Sequence, residues 1–408
     1  MDKKLPTEPY KGTRDFYPED MAVQSYIFDT WAHVAESFGF ERYDSSLLEP
    51  SELYRSKTSE EIVNDQTYTF TDRGDREVTL RPEMTPTAAR MIAAKRRDLT
   101  FPVRWYAIPN VFRYERPQKG RLREHWQLNC DIFGDLDYTA DMEIVTLAYS
   151  VLTAFGATDD MFEIRINDRA FVNELLTNEG LNETQIHDMF MLLDRKEKID
   201  NFEAEVENIA GKHINFDITP DESSNLSKII AGLRELAIPN VVLSLTTVRG
   251  FQYYTGTVFE IFDTSKDNNR SLLGGGRYDN LTSLFGGDPI PGVGFGMGDV
   301  TMRDFLETHG LLTSNITAPT LVVLPLEAAQ NLEAQKIAQT FRTAGIRTSV
   351  DMGTKKIGKK ISSAGDAFVE YAVVVGNDEI AKNNYTLKDL TDGSETTGSI
   401  EELVKKLS

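Results

Sequence analysis

Phe112-Arg-Tyr-Glu-Arg-Pro-Gln-Lys-Gly-Arg-Leu-Arg-Glu-His-Trp-Gln-Leu-Asn-Cys-Asp-Ile-Phe-Gly134 reads as a hairpin with a charged turn. A strand-like run from Trp105 to Phe112 leads in, Pro117-Gln118-Lys119-Gly120 turns the chain, and Trp126, Leu128, Cys130 and Ile132 carry it back. Gln127, Asn129 and Asp131 alternate with those apolar residues, so the return strand has one apolar and one polar face. Arg113, Arg116, Lys119, Arg121 and Arg123 crowd the hairpin and its turn. Arginines on rigid elements grip phosphates at fixed positions. An exposed, charged edge hairpin is the plain alternative.

Working outward, the 408 residues predict two or three domains with ample length for a core. Apolar residues make up 40% and charged residues 26%, the balance of a soluble globular chain. No apolar run reaches the ~18 residues of a membrane span, and the first residues lack the apolar core of a signal peptide. The single cysteine, Cys130, rules out an internal disulfide framework and a thiolate-rich zinc site. A cytoplasmic location is expected. The net charge of −20 argues against a nucleic-acid partner, yet Arg81 to His125 holds eleven Lys/Arg against four Asp/Glu. One basic zone on an acidic body permits RNA docking.

Before the hairpin, Val23, Ile27, Trp31, Val34 and Phe38 recur at helical spacing across Met21 to Phe38, with Gly39 at the C-cap position. Phe40 to Pro50 reads as extended, and Thr67 to Leu80 as a hairpin around Asp72-Arg-Gly-Asp75. It delivers Glu83 and Thr85 to a strand-to-helix junction, where Thr85 is placed to cap the helix that follows.

Beyond the hairpin, Thr139 to Ala157 reads as helix and Phe162 to Asn167 as strand. Residues 161–239 are read as a mostly helical insertion, with Asn182-Glu-Thr-Gln185 as a capping box. Strands Val241 to Thr246 and Thr257 to Phe262 flank Arg249-Gly250-Phe251-Gln252-Tyr253-Tyr254, and Asp263, Asp267, Asn268 and Asn269 supply a loop. Gly274-Gly275-Gly276 permits close backbone approach to a ligand, or simply a tight turn. No Gly-Lys-Ser/Thr follows it, so it is not a P-loop. A linker is read at Asn315 to Pro319. Past it, strands at 321–325, 347–351 and 371–375 alternate with helices at 327–344 and 356–367, a separate α/β domain with a largely parallel sheet.

Phe112-Arg-Tyr-Glu-Arg-Pro117, with Gly-Arg-x-Arg and Gln-x-x-x-Asp behind it, resembles motif 2 of the class II aminoacyl-tRNA synthetases in the histidyl form. Val248-Arg-Gly-Phe-Gln-Tyr-Tyr-Thr-Gly256 resembles the signature peculiar to the histidyl-tRNA synthetase family, and Gly292-Val-Gly-Phe-Gly-Met-Gly298 looks like motif 3. The helix and strand ending at Pro50 resemble motif 1, the dimer interface of that class. Residues 319–408 resemble the anticodon-binding domain of histidyl, glycyl, threonyl and prolyl synthetases. The resemblance implies an α+β fold: an antiparallel catalytic sheet flanked by helices (1–160 and 240–314), the helical insertion, and the C-terminal domain.

What it implies chemically is activation of L-histidine with ATP and Mg²⁺ to histidyl-adenylate, then transfer to the 3′ end of tRNA(His), by a homodimer. Arg113 and Arg249 match the arginines that reach the α-phosphate from opposite sides. Arg121 and Arg123 match turn-proximal positions that hold ATP or the tRNA end, and are read as ATP-binding. Glu83, Thr85, Gln127, Asp131, Tyr253, Tyr254 and Tyr278 match the surroundings of histidine, although Asp131 stands where many relatives carry Glu and Gln252 replaces a commoner Asp. Arg116, Gln118 and Lys119 match positions that meet the tRNA acceptor end. Lys355, Lys356, Lys359 and Lys360 start a helix of the C-terminal domain, either to hold anticodon-loop phosphate or as a solvated basic helix end. No protein metal site is implied. One departure is plain: Thr301 stands where motif 3 ends in arginine, and Arg303 falls on another helix face. That departure keeps two alternatives in view: a regulatory paralogue serving ATP phosphoribosyltransferase, and an RNA-binding sensor without catalysis. The block at 248–256 and the C-terminal domain count against the first.

Overall fold

The computed structural model describes residues 5–55, 66–196, 199–251, 253–268, 270–312 and 318–408. Gln252, Asn269 and residues 315–317 of the expected linker lie outside them. The chain divides into two compact units, residues 1–17 with 23–313, and residues 314–408 with 18–22.

The first unit is built on a nine-stranded sheet. Its order is Glu41–Arg42, Val103–Ala107, Glu124–Phe133, Gly292–Gly298, Ser271–Arg277, Thr257–Asp263, Phe162–Asp168, Val241–Leu243, with Asn110–Phe112 also paired to Glu124–Phe133. The six long central strands pair antiparallel, and only the outermost pairs run parallel. The alternation read in the return strand holds. Leu128, Cys130 and Ile132 enter the main core beneath Tyr138–Ala154, whose Ile144, Val145, Ala148, Val151 and Leu152 are fully buried. Helix Pro18–Ser37 adds Ile27, Trp31 and Val34 to the same core. Asn129 and Asp131 are buried on the opposite face. The hairpin Tyr68–Thr71 and Glu77–Leu80 forms with Leu48–Pro50 a small three-stranded sheet, and the Asp72 side chain closes its turn through the Gly74 and Arg76 amides at 2.8 and 3.0 Å.

Two expectations need correction. The tight turn is present, with Gln118 and Arg121 exchanging backbone hydrogen bonds at 3.0 and 2.9 Å around Lys119 and Gly120, but the strands do not reach it: they stop at Phe112 and resume at Glu124, so the five basic residues sit on a loop, pinned further by Arg113 N to Arg123 O at 2.9 Å. Pro117 supplies no ladder donor, and like charges on facing strands repel. Nor is all of 161–239 an insertion. Strand Phe162–Asp168 lies inside the large sheet, and Leu226, Ile229 and Leu233 of helix Asn225–Glu235 join the main core. A core of its own belongs to the helices Arg169–Asn178, Glu183–Leu193 and Phe202–Ala210, including Val172, Leu176, Met189 and Val206. The capping box at Asn182 and Gln185 is present.

The second unit holds a five-stranded sheet, Thr348–Val350, Leu321–Pro325, Tyr371–Val375, Tyr385–Asp389, Glu395–Gly398. The first three strands are parallel and the last two pair antiparallel. Lys360 is not a surface cation: it is 4% exposed, and its ammonium donates to the carbonyls of Asp351 and Pro325 at 2.8 and 3.2 Å.

Candidate active site

Two glycine-rich strands floor the site. Ser271–Arg277 and Gly292–Gly298 pair in a register that sets Gly274 opposite Gly296 and Gly276 opposite Gly294, and Gly294 faces Asp131 on the next strand. The Gly triplet is therefore strand, not turn. Side chains from neighbouring elements take the space left open above it. A Cβ on Gly274 would overlap the Arg249 guanidinium, and one on Gly294 would overlap the Asp131 carboxylate.

Above this floor opens a cavity of about 690 Å³. Its lining includes Arg113, Arg121, Arg165, Lys196, Arg249 and Arg270 against Glu115, Asp194 and Glu260, so positive charge predominates. The two arginines expected from separate blocks do meet here. Arg113 donates from Nε to Pro82 O at 2.8 Å, which orients its side chain. Arg249 pairs with Glu260 at 2.5 Å, and Glu260 and burial act oppositely on its charge, the net effect raising the guanidinium pKa. Arg249 has a backbone φ of 59°, rare for a residue with a side chain, and its Nε is buried without a hydrogen-bond partner among the described residues. The surrounding loop over-determines that conformation. Arg169 Nη1 donates to the carbonyls of Val248, Arg249 and Phe251 at 2.9, 3.1 and 3.3 Å. Sequence reasoning missed Arg169, because an arginine starting a helix carries no local sign of a distant carbonyl cluster.

Gln127 lines the cavity. The other expected histidine-binding residues gather beside it at an aromatic cluster, all buried except the half-buried Thr85. The Tyr253 hydroxyl donates to Glu83 Oε2 at 2.9 Å, and Thr85 adjoins the same hydroxyl. Tyr253 packs against Tyr254 and Tyr278 with ring centroids 4.8 and 5.7 Å away. Tyr278 donates its phenolic hydrogen to Asp131 Oδ1, while Asp131 Oδ2 is buried with no partner among the described residues. Burial pushes the Asp131 carboxyl up to about 7, against the opposing hydrogen bond from Tyr278. Thr85 is not the helix cap: Thr85–Lys95 starts at Thr85, and Met84 precedes it without a side-chain cap bond. His125 also lines the cavity, its imidazole pushed down to about 3 by burial and then by Arg113, Arg14 and Arg121.

Arg123 is not brought to the cavity. It is buried against Tyr114, 3.9 Å from the ring, and donates to Glu115 O at 3.1 Å and the Tyr10 hydroxyl at 2.9 Å. Arg121 does reach the cavity and pairs with Glu115 at 2.5 Å. Arg116, Gln118 and Lys119 are exposed on the loop above, with the Lys119 ammonium donating to Asp267 O at 3.0 Å. Thr301 lines the cavity and donates to Leu272 O at 3.2 Å, whereas Arg303 turns to Glu307 at 2.9 Å. Asp299, fully buried, receives Arg14 at 2.6 Å, Gln24 at 2.9 Å and the Trp126 amide at 2.9 Å. It ties the chain's lead-in segment to the site.

A basic cavity beside a buried carboxylate with one unpartnered oxygen suits a polyanion held next to a small ligand bearing hydrogen-bond donors. Among known proteins, a histidyl-tRNA synthetase family model matches residues 12–215 and 200–299, and an anticodon binding domain matches 320–408. The chain is 43% identical to the histidine–tRNA ligase of Leptospira biflexa, covering all of this chain and 98% of that one. It is 37% identical to that of Thermoplasma volcanium over 97% of each. The crystal structure of histidyl-tRNA synthetase from Nostoc sp. PCC 7120 superposes with a TM-score of 0.80 at 26% identity, covering 99% of this chain and all of that one. The chain belongs to the histidyl-tRNA synthetase family.

Proposed function

We propose that the protein is a histidine–tRNA ligase. ATP and L-histidine react to histidyl-adenylate and pyrophosphate, and the 3′-terminal ribose of tRNA(His) then accepts the histidyl group. The single observation that carries the reading is the meeting of Arg113 and Arg249, from segments 136 residues apart, in one basic cavity next to Asp131. Negative charge grows on phosphate oxygens as the carboxylate attacks the α-phosphate, and fixed guanidiniums stabilise it without reorganising.

Histidine is selected by the cluster at the other end. The free Asp131 Oδ2 is the acceptor for an imidazole N–H, and Glu83, Thr85 and Tyr253 receive the ammonium group. An amino acid lacking the imidazole N–H leaves that buried carboxylate unpaired and is rejected. Gln127, between the cluster and the arginines, orients the reacting carboxylate. Tyr254 and Tyr278 shape the pocket.

Mg²⁺ enters with ATP. Among the described residues no group of three or more His, Cys, Asp or Glu side chains forms a cation cage, and Glu115 and Glu260 are paired with arginines. Phosphate oxygens and water are the ligands Mg²⁺ takes most readily, so the chain's part is to hold the phosphates. Arg116, Gln118 and Lys119, exposed above the cavity, meet the acceptor end of tRNA, and the unit at 320–408 reads the anticodon. A homodimer in the cytoplasm fits this reading. No helix among the described residues is long and apolar enough to cross a membrane.

The test is ATP–pyrophosphate exchange with histidine, without it, and with other amino acids. Exchange that requires histidine and is lost in Arg249→Ala is the expected result. Folded protein that exchanges with no amino acid overturns the proposal.

A further inference from the structure

The arginines of the cavity differ in what already engages them. Arg121 faces Glu115, Arg249 faces Glu260 and Arg165 faces Glu163. Arg270, like Arg113 among the cavity arginines, is unlike these. Its Nε donates to Lys119 O at 3.1 Å, and among the described residues no carboxylate pairs with its guanidinium. Burial and the neighbouring Arg121 charge both lower its pKa, with only Glu115 opposing. The Arg121 and Arg270 charges repel, and Glu115, paired with Arg121, offsets that only in part, so an anion is favoured there.

The backbone explains the placement. Arg270 immediately precedes strand Ser271–Arg277, and Thr301 on the adjacent helix bonds back to Leu272 O. A Cβ on Gly120 would sit 2.9 Å from Arg270 Cδ and 3.6 Å from Thr301 Cγ2. The loop glycine, the arginine and the threonine therefore converge at one corner of the cavity. Thr301 is short and tied to backbone carbonyls, so it leaves that corner open to the longer side chain.

Position along the strand says which part of a ligand meets this corner. Gly276 lies level with Gly294 and Asp131, Gly274 lies under Arg249, and Arg270 lies four residues further on. At ~3.3 Å per residue that is roughly 13 Å beyond the Arg249 platform, on the side away from Asp131. Histidine at Asp131 and the α-phosphate at Arg249 leave the far end for the rest of the triphosphate.

We propose that Arg270, with Arg121, grips the two outer phosphates of ATP and holds pyrophosphate as it leaves. The inference rests on the activation reading above. In that step a histidine carboxylate oxygen bonds to the α-phosphorus while the bond from the α-phosphorus to the bridging oxygen breaks. The electron pair departs on pyrophosphate, and the Arg270 guanidinium is the group placed to neutralise it.

The experiment measures KM for ATP and for pyrophosphate in exchange assays on Arg270→Ala, Arg270→Lys and Arg270→Ala/Thr301→Arg. Binding of a sulfamoyl analogue of histidyl-adenylate, which has no outer phosphates, is measured alongside. Arg270→Ala raises both KM values by about 10- to 100-fold, the worth of a charge-assisted contact, and leaves analogue binding unchanged. Lysine restores part of the loss, and arginine at 301 moves the KM for ATP back towards wild type. Equal weakening of ATP and the analogue overturns the assignment. So does an unchanged KM for ATP in Arg270→Ala while Arg249→Ala abolishes exchange. Wild-type protein without exchange removes the activation reading itself, and this one with it.

Discussion

Arg249 lies 2.5 Å from Glu260, which reaches it from the strand Thr257–Asp263, and spreads its guanidinium over the backbone of Gly274. The acid fixes the arginine in place, and because one fork of a guanidinium occupied by carboxylate leaves other N–H groups available, the proposed contact with phosphate stays open to it. Arg249→Ala is expected to lower histidine-dependent exchange by about 10²–10³-fold, the usual cost of a lost charge-stabilising donor. Arg249→Lys keeps the charge but loses the fork, and should recover only part of the rate. Equal activity for lysine and arginine would show that charge alone matters there.

Gly274→Ala tests the same arginine without touching it. The added methyl overlaps the guanidinium, so Arg249 must move or the strand must shift. Exchange should fall nearly as far as in Arg249→Ala, while the far-ultraviolet circular dichroism spectrum stays that of wild type. A fully active Gly274→Ala would mean that Arg249 works from another position.

The pH dependence of stability isolates Asp131. Its folded pKa is raised to about 7 by burial, above the ordinary carboxylate value of 3.8. Between those values the folded state keeps a proton that the unfolded chain has released. The contribution of this group to stability therefore falls as pH rises through that window. Asp131→Asn removes the titration, so the gap in Tm between variant and wild type should move in the variant's favour from pH 4 to 7. A constant gap would place the Asp131 pKa at its ordinary value.

How much of this was legible beforehand depended on how local each signal was. The alternation from Trp126 to Ile132, the helix spacing of Ile27 and Trp31, and the Asn182 capping box are patterns within a few residues, and the structure has all three. The meeting of Arg113 and Arg249 was legible only through the two motifs that contain them. Arg169 and Arg270 were not legible at all, since each takes its meaning from partners 79 and 151 residues away. Arg123 and Lys360 misled for the opposite reason. A cation in a basic run reads as a surface charge, and only the three-dimensional neighbourhood puts Tyr114 over one guanidinium and two strand-end carbonyls around one ammonium.

Those two cations separate structure from function experimentally. Arg123 shares its loop with Arg113 and Arg121 but is buried between Tyr114 and the backbone of Gly12, whose carbonyl takes the Arg123 amide at 2.8 Å. Arg123→Ala should lower Tm while leaving the KM for ATP near wild type, whereas Arg121→Ala should raise that KM, with some loss of Tm because buried Glu115 loses its partner. Lys360→Met leaves the carbonyls of Asp351 and Pro325 without their shared donor, costing about 1–3 kcal/mol of stability by loss of hydrogen bonds to a charged group. Because exchange needs only histidine and ATP, Lys360→Met should exchange at the wild-type rate below its melting temperature and lose charging of tRNA(His) only as the second unit unfolds. If Lys360→Met melts like wild type yet charges tRNA poorly, the lysine contacts RNA after all, and the buried arrangement is not the one that binds.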